Sequence, residues 1–318
     1  MWPFIKNSGG RTTTADGENK FKYSTSQLFN FTQDSYLDRT SRPIYALIFL
    51  LPFIAFYELG TIRINTDILN QSQIRVVAFV WLQQILESLG FGGKFAWAAP
   101  PLAVIIILLS LQVSSGKKWD FWLGDIVPMA IECIMLAVPL IVLTMLLSSV
   151  GSQGDFGRFD KNRIKMQSIA LPTCSIEKNN NSHSFAADAY DSGRGHSLLA
   201  NIVTGIGAGI YEELVFRLIL ICILMLLFQD VLKLGHENAI ILSVLISAAL
   251  FSAHHHIDFL SGRPNVVDPF DWTRFAFRTV AGIYFAFLYA IRGFGITAGT
   301  HAFYNIIAVS VTAFFFTN

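Results

Sequence analysis

A chain of 318 residues that is 53% hydrophobic and only 14% charged departs from soluble domains, which run about 45–50% apolar and about 25% charged. Charge removed from whole stretches suits a surface that faces lipid, and a formal net charge of +1 gives no electrostatic case for a nucleic-acid partner. Three scattered cysteines, Cys133, Cys174 and Cys222, exclude a disulfide framework and a thiolate metal site.

The first 42 residues are polar, lack the apolar run of a signal peptide, and read as a flexible or surface-lying arm. The apolar run Ile44 to Tyr57 is short and holds Pro52, so a span there draws on its flanks. Val76 to Leu89 is apolar but carries Gln83, Gln84 and Glu87, which fits a re-entrant or interfacial helix about as well as a crossing one. Phe95 to Val113 and Ile126 to Val150 are long enough to cross about 30 Å of hydrocarbon at about 1.5 Å per residue. Residues 151–196, with six basic and five acidic residues and the run Asn179-Asn180-Asn181, read as a polar extramembrane loop. Apolar character returns in Leu198 to Phe228, Ala239 to His254, Trp272 to Ile291 and Gly293 to Phe316.

The expected fold is an all-α polytopic integral membrane protein with seven or eight transmembrane helices. Its parts are the arm 1–42, amino-terminal membrane helices 43–150, the loop 151–196 and a membrane core 197–318. Basic residues give no orientation, with six in the arm and six in the loop. If Val76 to Leu89 crosses, arm and loop share a side, and that consistency favours eight spans.

Ionisable side chains at membrane depth are costly and usually mark a site. Three groups stand out in the last four apolar blocks. In Tyr211-Glu212-Glu213-Leu214-Val215-Phe216-Arg217, Glu213 and Arg217 are spaced to pair on one helical face, while Glu212 points about 100° away. A partly desolvated carboxylate without a counter-charge suits a general base; a packing ion pair explains Glu213 and Arg217 but not Glu212. In Phe251-Ser252-Ala253-His254-His255-His256, successive histidines cannot share one site, and His256 reads as an interfacial surface residue. The spacing from Phe251 favours His255 over His254 and leaves the choice open. His301 and Asn305 lie one turn apart, and a His with an Asn on one face points to a polar cavity rather than to a lone core histidine.

Glu-Glu-x-x-x-Arg, Phe-x-x-x-His and His-x-x-x-Asn, in that order on separate apolar helices, resemble the CPBP family across residues 197–316. That family comprises type II CAAX prenyl endopeptidases and bacterial bacteriocin-processing or self-immunity (Abi-like) proteins. The resemblance implies an intramembrane endopeptidase in which Glu212 and His255 activate a water. His301 and Asn305 would bind the oxyanion, with Glu213, Arg217 and His254 in support. Leu218 stands where the family usually has glycine after the arginine. The implied partners are membrane lipid and a peptide or protein substrate, whose carboxyl terminus the family description makes a candidate for prenylation. A bacterial inner (plasma) membrane is the expected setting.

No cofactor is expected. If a metal were used, Glu212, His255 and His301 would suit Zn²⁺ with an open position, but the metal-independent glutamate mechanism is preferred. Other membrane proteases lack their signatures. His236-Glu237 is followed by Ile240 where a zincin needs a histidine, Trp122-Leu123-Gly124-Asp125 does not complete Gly-x-Gly-Asp, and no Gly-x-Ser-x-Gly is present. Seven histidines fall short of the roughly eight a membrane di-iron site uses. The competing reading is a non-catalytic scaffold or bacteriocin-immunity-type protein that keeps the family core. A proton-coupled transporter lacks the expected inverted repeat.

Overall fold

The computed structural model describes residues 23–24, 31–32, 34–67, 72–91, 96–153, 174–178, 198–259, 262–264 and 269–316. Most of the arm and of the 151–196 segment lies outside these residues. Nine helices occur among the described residues. They are α1 (Tyr36–Thr40), α2 (Pro43–Asp67), α3 (Val77–Ser88), α4 (Ala99–Ser115), α5 (Ile126–Gln153), α6 (Leu198–Val231), α7 (His236–His256), α8 (Trp272–Arg292) and α9 (Phe294–Phe316). The helix α6 is α-helical over Leu198–Glu213 and Ile221–Met225 and π-helical over Leu214–Leu220 and Leu226–Val231.

Among the described residues, strands occur only as three short antiparallel pairs. These are β1 (Tyr23–Ser24) with β2 (Phe31–Thr32), β3 (Ser72–Val76) with β4 (Cys174–Lys178), and β5 (Ile257–Asp258) with β6 (Arg263–Pro264). None makes a layer, so the protein is an all-α polytopic membrane protein.

Seven of the described helices, α2 and α4 to α9, are long and apolar enough to cross a membrane. The helix α3 has 12 residues, about 18 Å of rise, and falls short of the bilayer core. The preference for eight spans therefore gives way to seven, because Val76 to Leu89 divides into the end of a strand and a short helix. With three spans (α2, α4 and α5) between them, the described residues 34–42 of the arm and 174–178 of the later segment lie at opposite ends of the bundle rather than on a shared side. Two contacts agree. Arg39 of α1 pairs with Asp125 at the start of α5 at 3.0 Å, and Val76, beyond the far end of α2, pairs with Cys174.

Outward side chains such as Leu51 and Phe56 on α2, Leu102 and Ile106 on α4, and Ile131 and Met135 on α5 are exposed. They form the apolar belt a lipid-facing surface needs. Inside, α9 is the central helix and packs against α6, α5, α2 and α8. It lies close to α6 because Gly205 and Gly209 replace side chains with backbone at the crossing. A Cβ on Gly209 would stand 2.5 Å from the Ala302 backbone nitrogen. Gly293, at φ +77°, makes the one-residue turn from α8 to α9 in a region that favours glycine.

The arm also holds more order than its composition suggested. The helix α1 is capped by Ser35 and pinned at the arm end by Arg292. The Arg292 guanidinium donates to both Glu132 carboxylate oxygens, to Thr40 Oγ1 at 2.9 Å and to the Leu37 carbonyl at 3.0 Å. Glu132 in turn accepts from the Tyr36 hydroxyl at 2.8 Å. Arg292→Met strips the half-buried Glu132 carboxylate of its cationic partner and should cost about 1–3 kcal/mol of stability. Adding Glu132→Gln should recover part of that loss in thermal unfolding in detergent.

Candidate active site

Glu212 and Glu213 end the α-helical half of α6, where every residue from Val203 to Glu213 is buried. The π-helical segment starts at the next residue and carries Arg217. Its wider turn re-aims backbone groups, and the Phe216 carbonyl accepts from the Ser247 hydroxyl of α7 at 2.7 Å.

Glu213 binds in two directions. Its Oε1 accepts from His301 Nδ1 at 2.7 Å, and its Oε2 lies 3.1 Å from Arg217 Nε, an ion pair whose alignment is too poor for a hydrogen bond. The buried Arg217 guanidinium also donates to the Gly282 carbonyl at 3.3 Å and lies 4.1 Å above the Phe251 ring. His301 stacks on Phe285 at 4.6 Å, which fixes the plane of its ring, and its Nε2 lies 3.9 Å from Glu212 Oε2.

Glu212 faces His254, whose Nε2 lies 3.6 Å from its Oε1. Among the described residues neither atom has a hydrogen-bond partner, although both are buried. His254 Nδ1 bonds the Phe251 carbonyl of its own helix. A carbonyl oxygen only accepts, so Nδ1 carries a proton, and in its neutral form the ring presents a lone pair at Nε2. In that form two buried acceptors face each other at 3.6 Å.

The remaining candidates are distributed differently. His255 is buried beside His254, with ring centroids 4.0 Å apart, and stands edge-on to Phe251 at 5.5 Å. His254 Nε2 approaches Glu212 to 3.6 Å, and a ring nitrogen of His255 lies within 4.8 Å of the same carboxylate. Asn305 donates from Nδ2 to the Gly205 carbonyl at 3.0 Å and so ties α9 to α6; no described contact joins it to Glu212, His254 or His301. His256 is not the surface residue its sequence position suggested. It is buried against Phe270, centroids 5.3 Å apart, because the chain turns into β5 and folds the following aromatics over it.

One donor atom each from Glu212, His254 and His255 lies within 4.8 Å of the others, a grouping that could hold a metal ion. Its donor set differs from the sequence-based one in having His254 where His301 was expected. A metal-binding histidine typically fixes its other nitrogen on a carbonyl, as His254 does on Phe251, so these residues fit a divalent metal.

Sequence reasoning passed over Trp81 and Phe285, which touch His254 and His301, and Glu58, which accepts from Tyr211 beside Glu212. Only the Gly205-x-x-x-Gly209 spacing on the glutamate helix offered an early sign of how closely the helices approach.

Residues 194–307 match the profile of the family described as Type II CAAX prenyl endopeptidase Rce1-like. The matched segment begins just before α6 and ends inside α9, so it spans the helices that carry Glu212, His254 and His301. No curated protein and no solved structure matches the chain. The family match agrees with the CPBP resemblance and supports a hydrolase of the peptidase kind, with a peptide or protein substrate, in an integral membrane protein.

Proposed function

We propose, from the family match over residues 194–307, that this protein is an intramembrane endopeptidase whose Glu212 and His254 activate a water. The observation that carries the reading is the pair of facing acceptors, Glu212 Oε1 and His254 Nε2, 3.6 Å apart. A water between them donates one hydrogen to each and turns a lone pair outward. As that oxygen bonds the scissile carbonyl carbon, its proton passes to Glu212 and the carbonyl electron pair moves onto oxygen. His301, held by Glu213 and Phe285 on the other side of Glu212, would carry a proton on each ring nitrogen from the outset and donate from Nε2 to that oxyanion. The proton on Glu212 then goes to the leaving amine as the C–N bond breaks. Asn305 serves mainly to hold α9 on α6, and His255 buttresses the His254 ring.

A divalent metal on Glu212, His254 and His255 would supply Lewis-acid polarisation of the carbonyl, with the same residues as its holders. The substrate class proposed is a peptide or protein with a membrane-proximal, prenylated carboxyl terminus. A non-catalytic scaffold is the second reading. It is favoured by the near-complete burial of Glu212 and His254, each 1% exposed, which also suits a packing core.

The test is incubation of the full chain in lipid vesicles with one peptide in farnesylated and unmodified forms, followed by mass spectrometry. Hydrolysis of a single bond in the farnesylated peptide is the expected result. Activity that survives 1,10-phenanthroline assigns the chemistry to Glu212 and His254 alone, and activity lost to it assigns a metal. A folded protein that cleaves neither peptide leaves the scaffold reading.

A further inference from the structure

The helix α3 neither crosses the bundle nor lies idle on it. Its inner residues Val77 and Trp81 pack on Phe216 and Phe251, the second of which carries the Arg217 guanidinium on its face. Trp81 is 8% exposed, and its ring stands edge-on to His254, centroids 5.7 Å apart. On its other side it stacks on Phe259 of the β5–β6 turn at 5.4 Å. The outer face of α3 carries the exposed Ile85 and Glu87 and leads to the exposed Leu89. One ring of a short helix therefore forms a wall against the imidazole that faces Glu212.

What fixes this wall is a second polar contact that the proposed chemistry does not use. Arg75, in the strand that leads into α3, is buried, and its Nη1 lies 3.6 Å from Glu58 Oε2 on α2. Its guanidinium also covers the Phe79 ring of α3 at 4.4 Å. Glu58 accepts from the Tyr211 hydroxyl at 3.2 Å, and Tyr211 immediately precedes Glu212. A single carboxylate inside a membrane helix thus joins the root of α3 to the catalytic segment of α6. Such a charge is costly at that depth, and here it sets how far Trp81 stands from Glu212 and His254.

We infer that Trp81 is a specificity-determining residue, against which the substrate side chain next to the scissile bond packs, and that Glu58 and Arg75 are its positioning pair. The inference rests on the peptidase reading for its substrate. A carbonyl placed at the Glu212–His254 gap brings the neighbouring side chain up to the indole, whose bulk admits small aliphatic groups and turns away aromatic ones. Removing the indole opens that space.

Two measurements on the full chain in detergent keep the wall and the protease reading separable. The first is the rate at which diethyl pyrocarbonate carbethoxylates His254, read by peptide fragmentation. Trp81→Ala should raise it about tenfold, Trp81→Phe should stay near wild type, and Glu58→Gln should raise it by an intermediate factor. The double variant Trp81→Ala/Glu58→Gln should go no further than Trp81→Ala, since both act through one cover. An unchanged rate in Trp81→Ala overturns the wall, whatever the protein's activity.

The second is cleavage of a fluorogenic, farnesylated peptide series that varies only the residue after the scissile bond among Ala, Leu and Phe. Trp81→Ala should shift the Phe-to-Ala ratio of kcat/KM by about tenfold toward Phe, mostly through KM. Cleavage with an unchanged ratio overturns the specificity role and leaves the peptidase reading standing. No cleavage by the wild type overturns the peptidase reading and the substrate contact together, while the His254 rates still decide the wall.

Discussion

Glu212→Gln should lower peptide hydrolysis by about 10²- to 10⁴-fold while the thermal unfolding temperature stays close to wild type. Glutamine keeps the shape of the side chain and removes only the group that takes the water's proton. Its amide replaces a carboxylate whose nearest described partners are the imidazoles of His254 and His301, at 3.6 and 3.9 Å. His254→Gln should behave in the same way, and His255→Gln should lose less. Glu213→Gln should fail differently. It leaves the fully buried Arg217 without the carboxylate 3.1 Å away, and breaking a buried pair on one side costs about 3–5 kcal/mol. That variant should lose stability first and activity as a consequence, and Arg217→Met added to it should restore part of the stability. A thermal-shift series run beside the cleavage assay is the check. If Glu212→Gln unfolds the protein while Glu213→Gln stays folded and inactive, the two roles are reversed.

Gly209→Ala should be the most damaging single methyl group that can be added to the site helix. The new Cβ would stand 2.5 Å from the Ala302 nitrogen and 2.8 Å from its Cα. These are backbone atoms, which no rotamer change can move aside. The helices α6 and α9 would have to separate, and the 2.7 Å bond between Glu213 and His301 lies one turn along that same crossing. Overpacking of this kind costs about 1–3 kcal/mol, and the loss of His301 orientation should show as a fall in kcat beyond what lowered stability explains. Gly235→Ala, at a position where an added Cβ meets nothing within 4 Å, is the matched control. Equal behaviour of the two variants in unfolding and hydrolysis would show that the crossing does not set the site.

The sequence made the spans legible because lipid demands long apolar runs, so α4, α5, α7, α8 and α9 begin and end near the expected residues. It misled at Val76 to Leu89. Hydropathy there describes an apolar segment, but its first residue, Val76, and the four before it, Ser72–Arg75, are tied up as a strand with Cys174–Lys178, far along the chain. That pairing is non-local and has no periodic signature. The motif residues were legible as outliers in apolar helices, whereas their pairing depended on rotation and depth. The i,i+4 spacing from Phe251 drew attention to His255, yet the Phe251 carbonyl fixes the ring of His254, three residues on. Glu58 and Trp81 stayed hidden because a single glutamate at the end of an apolar run, or a tryptophan near an interface, is unremarkable until the fold brings it against Tyr211 or His254.

The one-residue turn at Gly293 makes α8 and α9 a helical hairpin, and that hairpin bears on the order of events during synthesis. Glu213 leaves the ribosome 88 residues before the histidine that binds it. In that interval Glu212, Glu213 and Arg217 must enter the membrane without Phe285, Gly282 or His301 to hold them. On the proposed mechanism, a nascent chain at this stage has its acid but not the imidazole that would stabilise an oxyanion. The arrival of the hairpin, with Arg292 near its tip to lock onto Glu132 and α1, brings the stacking ring and the second imidazole into place together. On the proposed mechanism, cleavage would thereby wait until the late helices have docked.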